Sequence, residues 1–384
     1  MLMSPEFNAD PLPGYREVRR CPVVHNEALN SYVITRYADV LAALRDPDTF
    51  SSEMEAMSIG QQRPLIPLQL DPPRQTRFRR ILDPHFSRRR MQALEPEVRV
   101  LVNGLIDGFA ADGHCEFNGA FAIPLPCTVF LQLMGLPQAD LGDLLALKDG
   151  IIRPQAKSPE EGQKLRDEAG TRIYEYFERL LEERARVPRD DLMTWFLGAE
   201  IDGDRLTREE ILDISYLFML AGLDTVTATL GCSVAHLAQH PGDRARLARE
   251  PGRWPAAVEE LLRHETPVPV VLRVVTRDTT FAGHELQAGQ QVMLLLGSAD
   301  TDDAEFDAAE TVSFERETNR HLAFGGGPHR CLGSHLARME LRVALEELHR
   351  RIPDYEIAPG EQPRYGGGIR EVQYLPLVFP AVPA

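Results

Sequence analysis

The sequence predicts a mainly α protein with a small β region, folded as one large domain over residues 1–384. Three observations lead there. Apolar residues recur at three- and four-residue spacing through most of the chain, which is the period of an amphipathic helix. Short β-branched or apolar runs bounded by turn residues are few, and they lie from Val270 onward. No internal repeat or low-complexity linker divides the chain, and its 29 prolines and 28 glycines are scattered rather than pooled. Hydrophobic residues make up 43% of the chain, ample for one large core.

Taken in order, the helical periodicity covers Tyr37 to Arg45, Glu95 to Phe109, Thr171 to Arg186, Ile211 to His240, Trp254 to His264 and Cys331 to Arg351. Thr207 followed by Glu210 reads as a capping box that opens the longest of these. Strands are expected at Val270 to Thr276, Gln291 to Leu296 and Val372 to Phe379, with turns at Gly283 and Gly289 between the first two. Two segments read as loops: Ser51 to Leu70, and Asp149 to Gly170, where Pro154, Pro159 and Gly162 interrupt the helical pattern. Such segments often form lids.

Composition narrows the function classes. A formal charge of -16 opposes nucleic acid and anionic membrane as general partners. No run of eighteen apolar residues occurs, and the start of the chain shows no secretory or transit pattern, so a cytoplasmic protein without a membrane anchor is expected. Cys21, Cys115, Cys127, Cys232 and Cys331 are odd in number and widely spaced. They suggest neither a disulfide framework nor a cysteine zinc site.

Two segments carry chemistry. The first is FGGGPHRCLG, Phe324 to Gly333, which sets Cys331 at the end of a glycine-rich loop just before a helical stretch. A lone cysteine is more often an inert, buried small hydrophobe. Here, however, small residues would let a flat macrocycle approach the backbone, and helix-start amides would favour an ionised sulfur. The second is DISYLFMLAGLDTVTATLGCSVA, in which Asp224 is the only charge between Ile214 and Ala235. A buried polar group without a partner costs on the order of 2–7 kcal/mol, so Asp224 must be paired, wet or protonated. Thr225 beside it either back-bonds to Ala221 or serves chemistry, and Gly222 loosens the helix locally.

These segments together resemble the cytochrome P450 family, and the resemblance covers nearly the whole chain. It implies the P450 fold, haem b (iron protoporphyrin IX) as cofactor, and Cys331 as the metal ligand, within a haem-binding loop that includes Phe324, Gly325, His329 and Gly333. It also implies that Asp224 relays protons and Thr225 orders dioxygen and water, because cleaving an O–O bond needs protons delivered to one oxygen only. GLDTV is shared with a camphor-type subgroup; Val226 stands where many relatives carry a second hydroxyl. By the same resemblance Arg79, Arg273 and His329 meet the haem propionates. Gln75 stands where many bacterial relatives have a histidine donor.

The E-x-x-R pair Glu260 and Arg263, completed by Arg316, matches the family's structural ion cluster. Glu259 is equally well spaced from Arg263, so the choice of Glu260 rests on the family pattern. Seven arginines between Arg74 and Arg90, with Arg338, suggest a basic patch for an acidic 2Fe-2S ferredoxin, itself reduced by a ferredoxin reductase. The implied activity is insertion of one oxygen atom from O2 into a C–H bond of a small hydrophobic substrate. Its pocket would be lined by Leu217, Leu220, Ala221, Val268, Val270, the Ser51 to Leu70 loop and the turn near Ile369. Arg370 is expected to face water. A peroxide-driven peroxygenase and a non-catalytic haem-thiolate sensor are the competing classes.

Overall fold

The computed structural model describes residues 4–27, 30–53 and 59–382. The chain divides into two compact units: a larger one of residues 1–51, 86–125 and 225–384, and a smaller one of residues 52–85 and 126–224.

The larger unit holds a five-stranded mixed sheet. Its order is Val23–Asn26, Ser31–Ile34, Gln291–Leu294, Val271–Val275 and Phe50–Ser51. The two strands expected from sequence, 271–275 and 291–294, lie at its centre and pair antiparallel, with Val292 opposite Arg273. Their β-branched residues suit a pleated surface covered on one side. That cover comes from the Tyr37–Arg45 helix, whose Val40, Ala43 and Leu44 are buried against Ile34, Val275, Val292 and Leu294. The expected C-terminal strand is two short ones, Val372–Tyr374 and Pro376–Val378, which pair into different sheets. The helices Glu95–Asp107, Trp254–Glu265 and Ser334–Arg351 belong to this unit, and the last packs on both of the others.

Among the described residues the smaller unit combines helices with one hairpin, Glu200–Ile201 with Asp204–Arg205, and an irregular stretch before the Arg74–Leu82 helix. Here one expectation fails. Asp149 to Gly170 is mostly helix: Leu141–Ile152 ends just before Pro154, and Pro159–Arg186 begins after the six non-helical residues 153–158. Pro159 is the first helical residue, a position where its missing N–H costs nothing, and the Ser158 hydroxyl accepts from the Glu161 amide at 3.2 Å. Pro154 and Pro159 are therefore end signals of two successive helices, and Gly162 lies inside the second. Of the Ser51 to Leu70 segment, residues 54–58 lie outside the described residues. The rest is irregular but anchored: Leu65, Ile66 and Leu70 are buried, and the Tyr216 hydroxyl donates to the Ile59 carbonyl at 2.7 Å.

The Arg208–Gln239 helix contributes residues to both units. It opens on the expected capping box: the Glu210 carboxylate accepts from the Thr207 amide at 2.8 Å, and the Thr207 hydroxyl accepts from the Glu210 amide at 3.2 Å. Among the described residues it alone is long and apolar enough to cross a membrane, but 72% of its most apolar window is buried within the protein. That is the pattern of a core helix.

Candidate active site

The cysteine loop is built by close backbone approach. The Gly325 amide donates to the Leu322 carbonyl at 2.7 Å, and the Cys331 amide donates to the Phe324 carbonyl at 2.8 Å, closing the loop on itself. Gly325 and Gly327 have φ of +66° and +62°. A Cβ on Gly327 would stand 2.1 Å from the Leu44 carbonyl oxygen, so only glycine lets this loop seat on the Tyr37–Arg45 helix. On the other side there is room. A Cβ on Gly333 would meet nothing within 4 Å, and one on Gly325 would meet only the His329 carbonyl, at 3.9 Å.

Cys331 is exposed, which separates it from the buried, inert cysteines Cys127 and Cys232. The following helix starts at Ser334 rather than at Cys331, so the sulfur precedes it by three residues. An exposed thiol beside Cβ-free backbone and a helix start is the donor set and the cradle that a haem requires.

The residue beneath the loop is Arg338. Its guanidinium lies 4.3 Å from the centroid of the Phe324 ring and grips Glu259 through two hydrogen bonds, of 2.6 and 2.8 Å. His321 Nε2 lies 3.1 Å from the same carboxylate. Burial alone would raise the Glu259 pKa; the His321 and Arg338 hydrogen bonds and charges outweigh it and hold it at about 2. Arg338 is thus a half-buried anchor of the cysteine loop, and its assignment to a solvent-facing docking patch is corrected. Glu260, the neighbour of Glu259, is buried and takes the family's cluster role. It accepts from Arg263 at 2.8 and 2.9 Å, from Arg316 at 3.1 Å, from Asn319 at 2.9 Å and from the Ser313 amide at 2.8 Å.

Two of the cationic candidates lie in the larger unit. Arg273 is buried in its strand, with Nη1 on the Leu272 carbonyl at 2.6 Å. His329 is half-buried at the end of a single 3-10 turn, Gly327–His329. Gln75 and Arg79 lie in the smaller unit on the Arg74–Leu82 helix. Gln75 is buried, and Arg79 pairs with Asp83 at 2.7 Å.

The seven-arginine run divides between the units. Arg74, Arg77, Arg79 and Arg80 pair with Glu53, Glu210, Asp83 and Asp202. Arg88, Arg89 and Arg90 are exposed on a short helix that packs on Ser334–Arg351. Acids distant in sequence thus take up three of the seven arginines, and the local Asp83 takes a fourth. In the larger unit, Arg88 and Arg330 remain exposed near His335, whose pKa is lowered by burial first and then by the charges of Arg338, Arg330 and Arg88.

Asp224 is buried, and its counter-charges are residues the sequence reading did not name. Lys148 Nζ stands 2.5 Å from Oδ1 and Arg153 Nη1 stands 3.4 Å from Oδ2. Both come from the end of the Leu141–Ile152 helix and its cap; Arg153 lies within the stretch expected to be a loop, and Lys148 immediately precedes it. A buried lysine at the end of an apolar helix was the available signal. The central helix is unbroken from Arg208 to Gln239, but Ala221 is exposed and Gly222 and Thr225 are half-exposed amid buried neighbours. The Thr225 carbonyl accepts from the Thr229 hydroxyl at 2.8 Å.

Of the expected pocket residues, Leu217 and Leu220 lie on the central helix with Ala221. Val268 and Val270 immediately precede the Val271–Val275 strand. Arg370 does not face water. It is 7% exposed and gives two hydrogen bonds, of 2.7 and 2.9 Å, to Glu265, a buried acid that needs a counter-charge.

Comparison with known proteins agrees with this arrangement. The family model described as Cytochrome P450 matches residues 132–253 and 254–361. A "Probable cytochrome P450 127A1" of Sinorhizobium fredii is 38% identical over 95% of this chain and 89% of its own length. The "Vitamin D(3) 25-hydroxylase" of Pseudonocardia autotrophica is 32% identical over 94% of this chain and 90% of its own. Among solved structures, CYP109E1 from Bacillus megaterium in complex with testosterone superposes with a TM-score of 0.93 at 29% identity, covering 98% of this chain and 100% of that one. The chain therefore has the P450 fold and belongs to the cytochrome P450 family, the haem b monooxygenases that act on small substrates with O2 and electrons from redox partners.

Proposed function

We propose that this protein hydroxylates a small hydrophobic substrate, taking electrons from a separate 2Fe-2S ferredoxin and its reductase, with Cys331 as the thiolate ligand of the haem iron. The observation that carries the proposal is the exposed Cys331 sulfur at the end of a loop closed by its own amide, beside backbone positions where even a Cβ meets open space. The haem, when bound, supplies reductive activation of dioxygen. The chain supplies the rest. Amides at the start of the Ser334–Arg351 helix favour the charged sulfur. Phe324, Gly325 and Gly333 would belong to the loop that holds the haem, and Arg79, Arg273, Gln75 and His329 would hold its propionates.

Asp224 carries protons inward. A carboxylate buried beside Lys148 and the half-exposed Arg153 can exchange partners as it turns toward Thr225, the next residue along the helix. Thr225 offers a hydroxyl that orders water and dioxygen. The half-exposed Thr225, near the exposed Ala221 on an otherwise buried stretch of helix, supports this.

An apolar substrate is supported by two relatives: one is named a vitamin D(3) hydroxylase, and the other holds testosterone, both largely apolar molecules. Exposed Arg88, Arg89, Arg90 and Arg330 of the larger unit support an acidic ferredoxin as electron donor. Such a local patch would steer that partner, while the charge of -16 over the whole chain opposes general nucleic acid and membrane binding. The working compartment under this reading is the cytoplasm.

The first test is the spectrum of the reduced, carbon-monoxide-bound protein. A strongly red-shifted Soret band, lost in Cys331→Ser, is expected; a band typical of histidine ligation would refute the assignment of Cys331. In Thr225→Ala, product formed per electron consumed should fall. Unchanged coupling would sink the proton-delivery role and favour the peroxide-driven alternative.

A further inference from the structure

The larger unit contains a second cluster of metal-binding side chains, remote in sequence from the cysteine loop. His236 comes from the end of the Arg208–Gln239 helix, and His264 and Glu265 end the Trp254–Glu265 helix. One ligand atom from each lies within 4.8 Å of the others. They border a cavity of about 470 Å³, also lined by Asp10, Asp243 and His240.

The hydrogen-bond logic of His264 makes this more than proximity. Its Nε2 is 3.2 Å from the Glu310 carbonyl oxygen, which can only accept, so a hydrogen on Nε2 satisfies that contact. In the neutral ring Nδ1 is then a bare lone pair, and it stands 2.9 Å from Glu265 Oε1, another acceptor. Two lone pairs at that distance need a cation between them, either a proton or a metal. His236 Nδ1 stands 3.9 Å from the same Oε1, a third donor atom turned to the same point. Its Nε2 is buried and finds no hydrogen-bond partner among the described residues.

The surroundings are those of a metal centre. A ligating histidine normally gives its other N–H to a carbonyl or carboxylate, as His264 does to Glu310, and a ligating carboxylate is itself held by hydrogen bonds. Glu265 offers Oε1 to the histidines while Oε2 is fixed by Arg370 at 2.7 and 2.9 Å. Separations of 2.9 and 3.9 Å between donor atoms fit around an ion with bonds of roughly 2.0–2.2 Å. Arg370 opposes a cation here. Glu265 answers it directly, and Asp10 and Asp243 add carboxylates along the same cavity.

We propose that His236, His264 and Glu265 bind one divalent transition-metal ion of the zinc class, with the cavity side left for water as the fourth ligand. Nitrogen and oxygen donors in this number suit zinc. Such an ion would clamp the end of the central helix to the end of the Trp254–Glu265 helix.

The test is calorimetric titration of Zn2+ into chelator-stripped, haem-loaded protein, with the carbon-monoxide spectrum and circular dichroism recorded for each variant. One equivalent is expected to bind, with binding lost in His236→Ala and in His264→Gln while both spectra stay unchanged. No zinc uptake by the parent, or uptake unaltered in both variants, overturns the proposal and leaves a proton bridging His264 and Glu265. X-ray absorption at the zinc edge of the loaded parent gives an answer that does not depend on variants folding. Nitrogen and oxygen neighbours with imidazole scattering are expected, and a sulfur neighbour would refute the site.

Discussion

Replacing Lys148 by methionine tests the inward-facing acid of the central helix most directly. Lys148 and Asp224 side chains are each 6% exposed, so water and salt screen their attraction very little. Removing one partner of a buried pair costs about 3–5 kcal/mol, because the other charge is left uncompensated. Arg153 still stands 3.4 Å from the second carboxylate oxygen, and at 22% exposure it has room to move in. The expected loss is therefore at the lower end, about 3 kcal/mol. Asp224→Asn removes the other charge, and the double variant removes both, so it should recover much of that loss. The assay is urea unfolding of the four proteins followed by circular dichroism, with product formed per electron measured in parallel. A coupling of about 2 kcal/mol or more is expected between the two sites, with poor coupling of electrons to product in Lys148→Met. If Lys148→Met lost less than about 0.5 kcal/mol and the two changes were additive, the pair would not be the partner of Asp224, and its place in proton delivery would fall.

Glu260→Gln should cost about 3–5 kcal/mol in urea unfolding, because the fully buried Arg263 and the nearly buried Arg316 lose their shared anion; a loss under about 1 kcal/mol would contradict the cluster's structural role. Gly327→Ala should destabilise by about 2 kcal/mol or more and reduce haem content, since φ is positive and the Leu44 carbonyl blocks a Cβ, whereas Gly104→Ala, with nothing within 4 Å at an exposed position of its helix, should gain about 0.5–1 kcal/mol. Glu259 contributes a pH dependence whose sign follows from its depressed pKa. Its stabilisation is fully present above about pH 4.5 and is lost as pH falls toward about 2, amounting to about 3 kcal/mol, and Glu259→Gln should flatten the unfolding midpoint over that acidic range.

Periodicity and motif already defined much of this protein in the linear sequence. The Tyr37–Arg45 helix, the Trp254–Glu265 helix, the capping box at Thr207 and Glu210, and both central strands follow from interactions between residues near in sequence. The cysteine loop was legible for the same reason, because ten consecutive residues hold its glycines and its sulfur. Less legible were the strands Val23–Asn26 and Ser31–Ile34, which are too short for their pattern to stand out; the first pairs with the second, and the second is held by register with residues about 260 positions away.

What only the tertiary structure decided is which charge meets which. Glu259 and Glu260 are adjacent and equally plausible partners for Arg263, yet the helix turns one toward Arg338 and the cysteine loop and the other toward Arg263 and Arg316. Lys148 reached Asp224, Arg370 reached Glu265, and His236 came to face His264, each across gaps in sequence that no local pattern spans. The physical reason is common to all of them. A helix or strand is specified by neighbours a few residues apart, whereas a buried charge is satisfied by whatever group the packing of distant elements delivers to it.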